Sequence, residues 1–502
     1  MNILAFFKEI IYNRQKYAGK AETAMQEQQN NRPRPVNPRR RKRSKLQIFT
    51  EAYLPVVIIL LALILIIIFI AGSVSRSKQK KEAEAQASIQ ASLSEAEDKT
   101  RYDAEAKELL AEAEGFAKNY YYAAAITVLN GFSGDMSDYP EIFETIVKYE
   151  DAQESMVVWN DPSKVVNLSF HLLMADPARS FRHSEYGNAF NKNYVTTDEF
   201  ARILQQLYDN DYILVSLDDV VIMQANEAGQ TTLKVNELLL PAGKKPIMLT
   251  ETNVNYNIYM VDGDGDKLPD ANGAGFASRL VLLQDGSISC EMVDSSGQTV
   301  TGAYDMVPIL EQFIAEHPDF SYRGARATLA LTGYNGLFGY RTYSGAESHF
   351  GTDSYNNDVA EATKVASALR ELGYEFACYT YNNIGYGKAN RGTVAGDVNK
   401  WIAEAVPILG EVDTLVFAQQ SDIADPGEYS GEKYSVLRSA GFRYYLGFCS
   451  DSTTWATFNE DYFRQGRILV SGSNMAYHSD WFTGIFDPSL VLDMAARGTV
   501  PS

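Results

Sequence analysis

Cysteine is scarce in this chain of 502 residues, which contains three: Cys290, Cys378 and Cys449. They are far apart and no Cys-x-x-Cys pair is present, so neither a disulfide framework nor a zinc-finger module is expected, and at most one disulfide can form. Histidine is also rare, and no two of the five are spaced three or four residues apart, as helical metal ligands are. These shortages exclude the common motif-based metal sites.

Motifs for nucleophilic and phosphate chemistry are absent as well. The sequence has no Gly-x-Ser-x-Gly turn, no cysteine with a neighbouring histidine, and no phosphate loop that ends in Gly-Lys-Ser/Thr. A zinc site assembled from distant residues is an open alternative, and ordinary hydrogen-bonded histidines are the competing interpretation. The candidate ligands of such a site are His171, His349, Asp353 and His478.

Positive charge is confined to the start of the chain. Residues 1–50 contain 12 Lys or Arg and 3 Glu, a net charge of +9, whereas the whole chain has −19, so the remainder carries −28. An acidic body of this size argues against nucleic-acid binding and is typical of a well-hydrated domain. We expect residues 1–50 to be a basic and largely disordered tail.

One long uncharged run, Tyr53–Gly72, contains VVIILLALILIIIFIAG. As a helix it would be about 30 Å long, which is enough to cross the core of a bilayer. The run is too long for the apolar part of a signal peptide, and buried helices of soluble domains rarely lack charge over such a length. We predict a single transmembrane helix at residues 51–73. Because the basic residues precede it, residues 1–50 should be cytoplasmic and the acidic body extracellular.

Two further regions follow the membrane segment. Residues 74–156 are rich in Ala, Glu, Gln and Lys, and they predict an extracellular helical stalk and hairpin that must pack on a neighbour to bury its apolar face. In residues 157–502, short apolar runs alternate with helical patterns, as in TTDEFARILQQLY followed by YILVSL. This alternation indicates an α/β domain with a parallel sheet or a β/α barrel.

Several segments of residues 157–502 resemble the polysaccharide deacetylase family, which is defined by the NodB-homology domain. LLLPAGKKPIMLT resembles the approach to that family's first catalytic motif, and ALRELGYEFACYTYNN resembles the approach to its second. FHLLMADP and YSGEKYSVLRSAGFRYYLGF resemble an upstream strand end and the helix and strand after the third motif. The resemblance implies a distorted (β/α) barrel and a carbohydrate N-deacetylase activity, in which a metal activates water to attack an amide.

The positions that carry this chemistry in the family are substituted here. The resemblance places Thr252 and Asn253 where the family has a catalytic Asp and a metal-binding Asp, and Tyr379 and Asn383 where it has two metal-binding His. No Asp occurs within residues 222–260, so a shift of alignment does not restore the first motif. We therefore expect a degenerate member without a catalytic cofactor. The alternative is an active enzyme that holds Zn or Ca²⁺ through rearranged ligands.

Aromatic and amide residues near the second motif indicate a glycan cleft. Tyrosine rings stack on sugar faces, and Asn side chains bond sugar hydroxyls. The competing interpretation is a set of core tyrosines of the barrel. The candidate substrate-binding residues are Tyr379, Tyr381, Asn382, Asn383 and Tyr386.

The stretch DGDGDKLPDANG resembles a calcium-binding loop in its spacing of acids. It places Asp262, Asp264, Asp266 and Asp270 at positions 1, 3, 5 and 9 of that template. The Gly and the Glu that the template requires later in the loop are missing. The loop is either a weak calcium site or an acidic turn without a bound ion, and the sequence does not decide between these interpretations.

These features predict a single-pass membrane protein of the bacterial cell envelope. Its extracellular deacetylase-like domain would be catalytically degenerate and would bind an envelope glycan or a partner protein. The alternative is an active, metal-dependent carbohydrate N-deacetylase with rearranged ligands.

Overall fold

The computed structural model of the protein describes residues 45–226, 229, 231–424 and 427–502, with side chains from Val56 onward. The chain divides into two compact units, residues 1–97 and 98–502. The basic tail predicted for residues 1–50 lies almost entirely outside the described residues. The boundaries predicted for the four regions of the chain stay predictions.

Helix α1 spans Lys45–Lys118 and contains the long apolar run. Its apolar side chains from Val56 to Ile70 are exposed, and the helix is long and apolar enough to cross a membrane. A helix satisfies its backbone hydrogen bonds internally, so an apolar helix surface without a protein partner is stable in lipid. Helix α1 is therefore compatible with a single-pass membrane anchor.

The last turns of α1 pack against two short helices, α2 (Tyr122–Leu129) and α3 (Pro140–Glu154). The loop after α1 contacts the following domain, because the backbone N–H of Arg323 donates to the Asn119 carbonyl at 2.8 Å and Tyr120 packs against a cluster of barrel residues. This contact supplies a neighbour for the helical hairpin. The core of the hairpin consists of Ala106, Ala113, Ala125, Leu129, Ile142 and Ile146.

Seven parallel strands form a closed barrel, in which each strand pairs with the next along the chain and the last pairs with the first. This architecture confirms the predicted β/α barrel. Most of these strands are short runs of apolar residues, as expected for strands buried on both faces. The strands are β1 (Val166–His171), β2 (Lys245–Thr252), β3 (Thr328–Leu331), β4 (Glu375–Cys378), β5 (Thr414–Val416), β6 (Tyr444–Phe448) and β7 (Phe463–Leu469).

Helices cover the outside of the barrel. The longer ones are α4 (Thr197–Asp209), α5 (Met306–Glu316), α6 (Thr352–Leu372), α7 (Arg391–Leu409) and α8 (Gly431–Ser439). Shorter α-helices span Pro177–Arg182, Gly187–Asn193, Leu217–Val220, Ile258–Val261, Ala346–Phe350, Gly472–Tyr477, Pro488–Val491 and Met494–Arg497. Single 3₁₀ turns span Met136–Asp138, Pro162–Lys164, Pro318–Phe320, Tyr322–Gly324, Ala418–Gln420 and Ser479–Phe482.

The remaining strands lie outside the barrel. Tyr212–Leu214 pairs in parallel with β2, and Ala456–Phe458 pairs antiparallel with the start of β7. The others form small antiparallel sheets: Val157–Trp159 with Leu238–Leu240, Val221–Ala225 with Thr231–Val235, and Ile288–Val293 with both Arg279–Leu282 and Thr299–Gly302.

Helix α4 shows how local sequence and long-range pairing act together. The Thr196 hydroxyl accepts the backbone N–H of Glu199 at 3.1 Å, and the Glu199 carboxylate accepts that of Thr196 at 2.9 Å, which makes a capping box. The same carboxylate forms a fully buried ion pair with Arg497 at 2.5 Å. The C-terminal segment is thereby held against α4.

The interior of the barrel contains both apolar side chains and a group of polar side chains that bond one another. Thr250 donates to the Asn167 amide oxygen at 2.9 Å, and the Asn167 amide nitrogen donates to Gln465 at 3.1 Å. Ala330 and Ala377 face the same space from β3 and β4. Because these polar groups bond one another, the barrel interior needs no ion to satisfy them.

Candidate ligand-binding site at the mouth of the barrel

The carboxyl ends of the seven strands and the loops that follow them form one rim of the barrel, here called the mouth. Parallel pairing places His171, the last residue of β1, beside Thr252, the last residue of β2. The Thr252 hydroxyl donates to the Phe170 carbonyl at 3.0 Å, so Nδ1 of His171, 2.7 Å from that hydroxyl, is assigned the proton. Nε2 of His171 is then a free acceptor. Thr252 itself is only 1% exposed, so a reacting group does not reach it.

Arg467 on β7 is fully buried beneath the mouth. Its guanidinium donates to the Ser169 hydroxyl at 2.6 Å, to the Gly447 carbonyl at 3.1 Å and to the Phe417 carbonyl at 3.4 Å. Within the described part of the chain it has no carboxylate partner. Burial lowers the pKa of Arg467 to about 10, so it is charged at neutral pH. A positive charge therefore lies beneath the mouth with no acid to balance it.

Arg467 also influences the protonation of His171. Burial, and then the charge of Arg467, lower the pKa of His171 to about 4. The imidazole is therefore neutral at physiological pH and serves as a hydrogen-bonding group rather than as a cation.

The side chains at the positions that the sequence resemblance aligned with catalytic and metal-binding residues do not fit a divalent metal. Burial raises the pKa of Tyr379, so its hydroxyl is neutral, and Asn253 and Asn383 offer only amide groups. Zinc prefers imidazole, thiolate and carboxylate ligands. The positive charge of Arg467 beneath these groups would also repel a dication.

The other residues expected to bind substrate lie in the loop between β4 and α7. Tyr381 and Tyr386 are buried, and their hydroxyls donate to Glu404 at 2.6 Å and to Asp397 at 2.8 Å. Asp397 also accepts the backbone N–H groups of Tyr381 and Asn382, at 2.6 and 3.0 Å, and the Asn382 side chain is exposed. This placement is that of core tyrosines. Ligand binding by these residues stays a prediction, and stacking on either ring would require the loop to open.

The backbone at the mouth is strained in several places. Positive φ angles occur at non-glycine residues just after β2, β4 and β5, where they cost of the order of 1–3 kcal/mol each. Such strain persists only where the surrounding structure enforces it, and it concentrates at functional sites. The residues, with their φ angles, are Asn253 (63°), Thr380 (61°), Asn383 (53°), Gln419 (54°) and Gln420 (51°).

Three further tyrosines, Tyr194, Tyr259 and Tyr334, surround the mouth. The Tyr194 hydroxyl lies 3.3 Å from that of Tyr259, and the Tyr194 ring lies 5.2 Å from the His171 ring. Burial, followed by the neighbouring Tyr259, Tyr379 and Tyr334 hydroxyls, raises the pKa of Tyr194 well above its usual value. Tyr259 follows the first motif closely in sequence, but Tyr194 and Tyr334 come from loops after β1 and β3, and only barrel closure brings them here.

The acidic loop lies after β2, next to the Tyr259 helix. The carboxylate oxygens of Asp262, Asp264 and Asp270 lie within 4.8 Å of one another, while Asp266 is not part of this group. Asp262 accepts the Gly265 N–H at 2.7 Å, so the loop is held by its own backbone amides. Several backbone N–H groups lower the pKa of Asp270 against the opposing effect of burial. Calcium binding here stays a prediction.

The distant histidines do not converge on one point. His171 bonds Thr252, His349 packs edge-on against Phe350 at 4.4 Å, and His478 stacks on Trp481 at 4.7 Å. Across the described ranges, the acidic loop is the one group of three or more His, Cys, Asp or Glu ligand atoms within 4.8 Å of one another. The three cysteines are free and buried. The alternative zinc site from distant histidines is thus not assembled in this conformation.

No protein-family model and no curated protein matches the chain. Among solved structures, the chain is similar to the Streptococcus pyogenes deacetylase PplD in complex with acetate, with 63% of this chain and 98% of that chain covered, 12% sequence identity and a TM-score of 0.33. A likeness at this level carries no argument about activity. The fold class rests on the strand order and closure of the barrel.

Proposed function

We propose that this protein is a membrane-anchored, catalytically degenerate relative of the polysaccharide deacetylases that binds a glycan of the bacterial cell envelope without hydrolysing it. The observation that supports this most is the composition of the mouth. The positions of base and metal ligands hold hydroxyl and amide groups above a buried guanidinium, whereas three tyrosines and a neutral histidine surround the opening. Such a surface offers ring faces and hydrogen bonds to a sugar but neither a metal nor a carboxylate base.

The test is a binding titration combined with an assay for released acetate. The full-length protein in detergent micelles is titrated with tetra-N-acetylchitotetraose by calorimetry, and free acetate is measured after prolonged incubation. We expect binding with no acetate above the buffer control and no effect of EDTA. Tyr259→Ala should weaken binding by about 1 kcal/mol, or roughly fivefold, because a stacking ring is lost.

The matched control is Tyr121→Ala. Tyr121 is 42% exposed, compared with 38% for Tyr259, but it lies in the helical hairpin outside the mouth. Its substitution should leave sugar binding unchanged. Acetate release that EDTA abolishes would establish the alternative, an active N-deacetylase. Absence of any sugar binding would shift the proposal to a protein partner.

We also propose that the barrel domain lies outside the cell and the basic tail inside. The motivation is the cluster of Lys and Arg before the apolar run and the acidic character of the rest of the chain. A protease added to intact cells should remove the domain and spare an N-terminal fragment that an antibody to residues 1–50 detects. Protection of the barrel domain until the cells are lysed would contradict this orientation.

A further inference from the structure

A small cavity lies between the acidic loop, the start of α6 and the three-stranded sheet that Ile288–Val293 forms with its two neighbours. Its volume is about 270 Å³, slightly below the usual range of small-molecule sites, about 300–1,000 Å³. The residues that line it do not include those that form the mouth of the barrel. An occupant of this cavity would therefore be distinct from the glycan proposed for the mouth.

The buried cation of the cavity is Arg341, in the loop between β3 and α6. Arg341 is 6% exposed, and its Nη1 donates to the carbonyls of Tyr256 at 3.0 Å and Asn335 at 3.1 Å. Nε and Nη2 have no acceptor among the described residues, and neither atom is completely enclosed by protein. Because Arg341 lines the cavity, this open edge of the guanidinium is available to an occupant. Nε and Nη2 form a planar pair of donors that matches the two oxygens of a carboxylate.

Among the described residues, no carboxylate forms an ion pair with Arg341. Glu291 is paired with Arg279 at 2.6 Å, and Asp358 accepts the backbone N–H of Arg341 at 2.9 Å. Burial lowers the pKa of Arg341 to about 10, so its side chain is charged at neutral pH. With Lys267, the lining contains three cations and two acids, in a chain whose net charge is −19. A positive cavity in an acidic protein favours a small anion.

The other walls of the cavity distinguish between kinds of anion. Leu268, Pro269, Val293 and Phe350 supply apolar surface. A phosphate ion has no apolar group to place against these side chains, and its second negative charge would be repelled by the two acids of the lining. A carboxylate with a short apolar group satisfies both the guanidinium and the apolar walls, and the small volume excludes a long one.

We propose that this cavity binds a small organic monocarboxylate. The open edge of Arg341 holds the two carboxylate oxygens, and the apolar group packs against Leu268 and Phe350. The carboxylate can belong to a free acid or to the C-terminus of a peptide, since both present the same group to the guanidinium. This site does not depend on glycan binding at the mouth.

The experiment is a calorimetric titration of the full-length protein in detergent micelles, with micelles alone as the blank. The probes are 4-methylpentanoate, its uncharged amide 4-methylpentanamide, and inorganic phosphate. The acid should bind at a single site, roughly tenfold or more tightly than either other probe, because it combines the charge with the apolar group. A further probe, N-acetyl-Gly-Gly-Leu, carries the same apolar group beside a C-terminal carboxylate. Comparable binding of this peptide would assign the site to a chain end, whereas binding of the free acid alone would assign it to a small metabolite.

Ser354→Asp tests the site without altering Arg341. Ser354 lines the cavity in the first turn of α6, where an acidic side chain favours the helix, so the fold should be retained while the added charge repels the carboxylate. Binding of 4-methylpentanoate should weaken roughly fivefold or more. The matched control is Asn356→Asp, which adds the same charge to the same helix outside the cavity lining and should leave binding unchanged. Arg341→Met should abolish binding.

Equal affinities for 4-methylpentanoate and its amide would overturn the proposal, because the guanidinium would then not hold a carboxylate. Phosphate that binds as tightly as the acid would overturn the assignment to a monocarboxylate. Indistinguishable affinities in Ser354→Asp and Asn356→Asp would show that the acid binds elsewhere on the protein. Each of these results would leave the proposed function at the mouth unaffected.

Discussion

The two faces of strand β2 differ in the buried ionisable groups that lie beside the carboxyl end of the strand. The side that faces the barrel interior ends in Thr252. The charged group in that interior is the guanidinium of Arg467, which has no carboxylate partner among the described residues. The outer side carries Glu251, which is fully buried and interacts electrostatically with the buried Asp305. Among the described residues, neither Glu251 oxygen, nor Oδ2 of Asp305, nor the Tyr256 hydroxyl has a hydrogen-bond partner, and no cation contributes to the pKa of either acid.

The buried ionisable groups on the two faces differ in their protonation and in their hydrogen-bond partners. Arg467 keeps its charge by donating to carbonyl and hydroxyl oxygens, whereas burial makes the acid pair retain a proton. Burial and then the charge of Asp305 raise the pKa of Glu251 well above its usual range, while N–H donors partly offset the effect of burial on Asp305. The proton therefore resides on Glu251. Glu251 is the neighbour of Thr252 in sequence, but strand alternation directs its carboxyl away from the mouth.

The largest effect is expected from removing the interior cation. Arg467→Ala should destabilise the protein by about 4 kcal/mol, because a large buried side chain is lost and three buried acceptors lose their donor. Arg467→Lys should cost less, since an ammonium keeps the charge and reaches some of these oxygens. Urea unfolding of the full-length protein in micelles, followed by tryptophan fluorescence, measures both. Equal costs for the two variants would show that the donor network contributes nothing.

A slightly smaller loss of stability is expected when Asp305, on the outer face of β2, is replaced. Asp305→Ala should cost about 3 kcal/mol, because the backbone N–H of Leu173, which donates to Asp305 at 2.8 Å, loses a buried partner. Asp305→Asn should cost less than half as much, since the amide still accepts from Leu173 and can also donate to Glu251. The same unfolding assay applies. If Asp305→Asn lowered the free energy of unfolding as much as Asp305→Ala, the arrangement in which the acid pair retains a proton would be contradicted.

The two faces should respond to pH in opposite directions. Glu251 has a folded-state pKa above its ordinary 4.5, so its contribution is complete at low pH and is lost as pH rises through the folded pKa. His171 has a folded-state pKa near 4 against an ordinary 6.5, so its contribution is complete above 6.5 and is lost as pH falls toward 4, by about 2 kcal/mol after allowing for partial exposure.

Two variants separate these contributions. Glu251→Gln should flatten the decline of stability as pH rises above 4.5, and His171→Gln should flatten the decline between pH 6.5 and 4. Stability curves from pH 4 to 9 measure both. If the decline with rising pH were unchanged in Glu251→Gln, other groups would be responsible for it.

The smallest effect is expected on the zinc affinity of a variant in which a metal site has been introduced. Acids and imidazoles can be placed on the barrel side of the mouth by four substitutions: Thr252→Asp, Asn253→Asp, Tyr379→His and Asn383→His. Addition of Arg467→Met should tighten the zinc affinity of this variant at least tenfold, or about 1.4 kcal/mol, because the buried positive charge is removed. Competition with a chromophoric chelator measures the affinity. The same zinc affinity with and without Arg467→Met would show that the guanidinium does not oppose a metal.

The sequence predicted the barrel because alternating apolar runs and helical patterns are local features. It also predicted that Thr252 and Tyr379 lie at strand ends, which the structure shows, whereas their role stays a prediction. It did not identify Arg467, because a single arginine in a strand near the end of the chain has no local sign of facing β1. Burial of Tyr381 and Tyr386 in the core was one of two interpretations that the sequence left open. The structure decides it, because the loop that contains them folds back onto Asp397 and Glu404 of α7.

The sequence by itself determined the apolar helix that is long enough to cross a membrane, the β/α order and the hydroxyl and amide side chains at the strand ends, because length, periodicity and residue identity are properties of the chain. Only the tertiary structure decided which side of β2 each polar group occupies and which tyrosines meet at the mouth. The physical reason is barrel closure. It joins strand ends and loops that are far apart along the chain, and the two-residue alternation of each strand then assigns every side chain to the interior or to the outside.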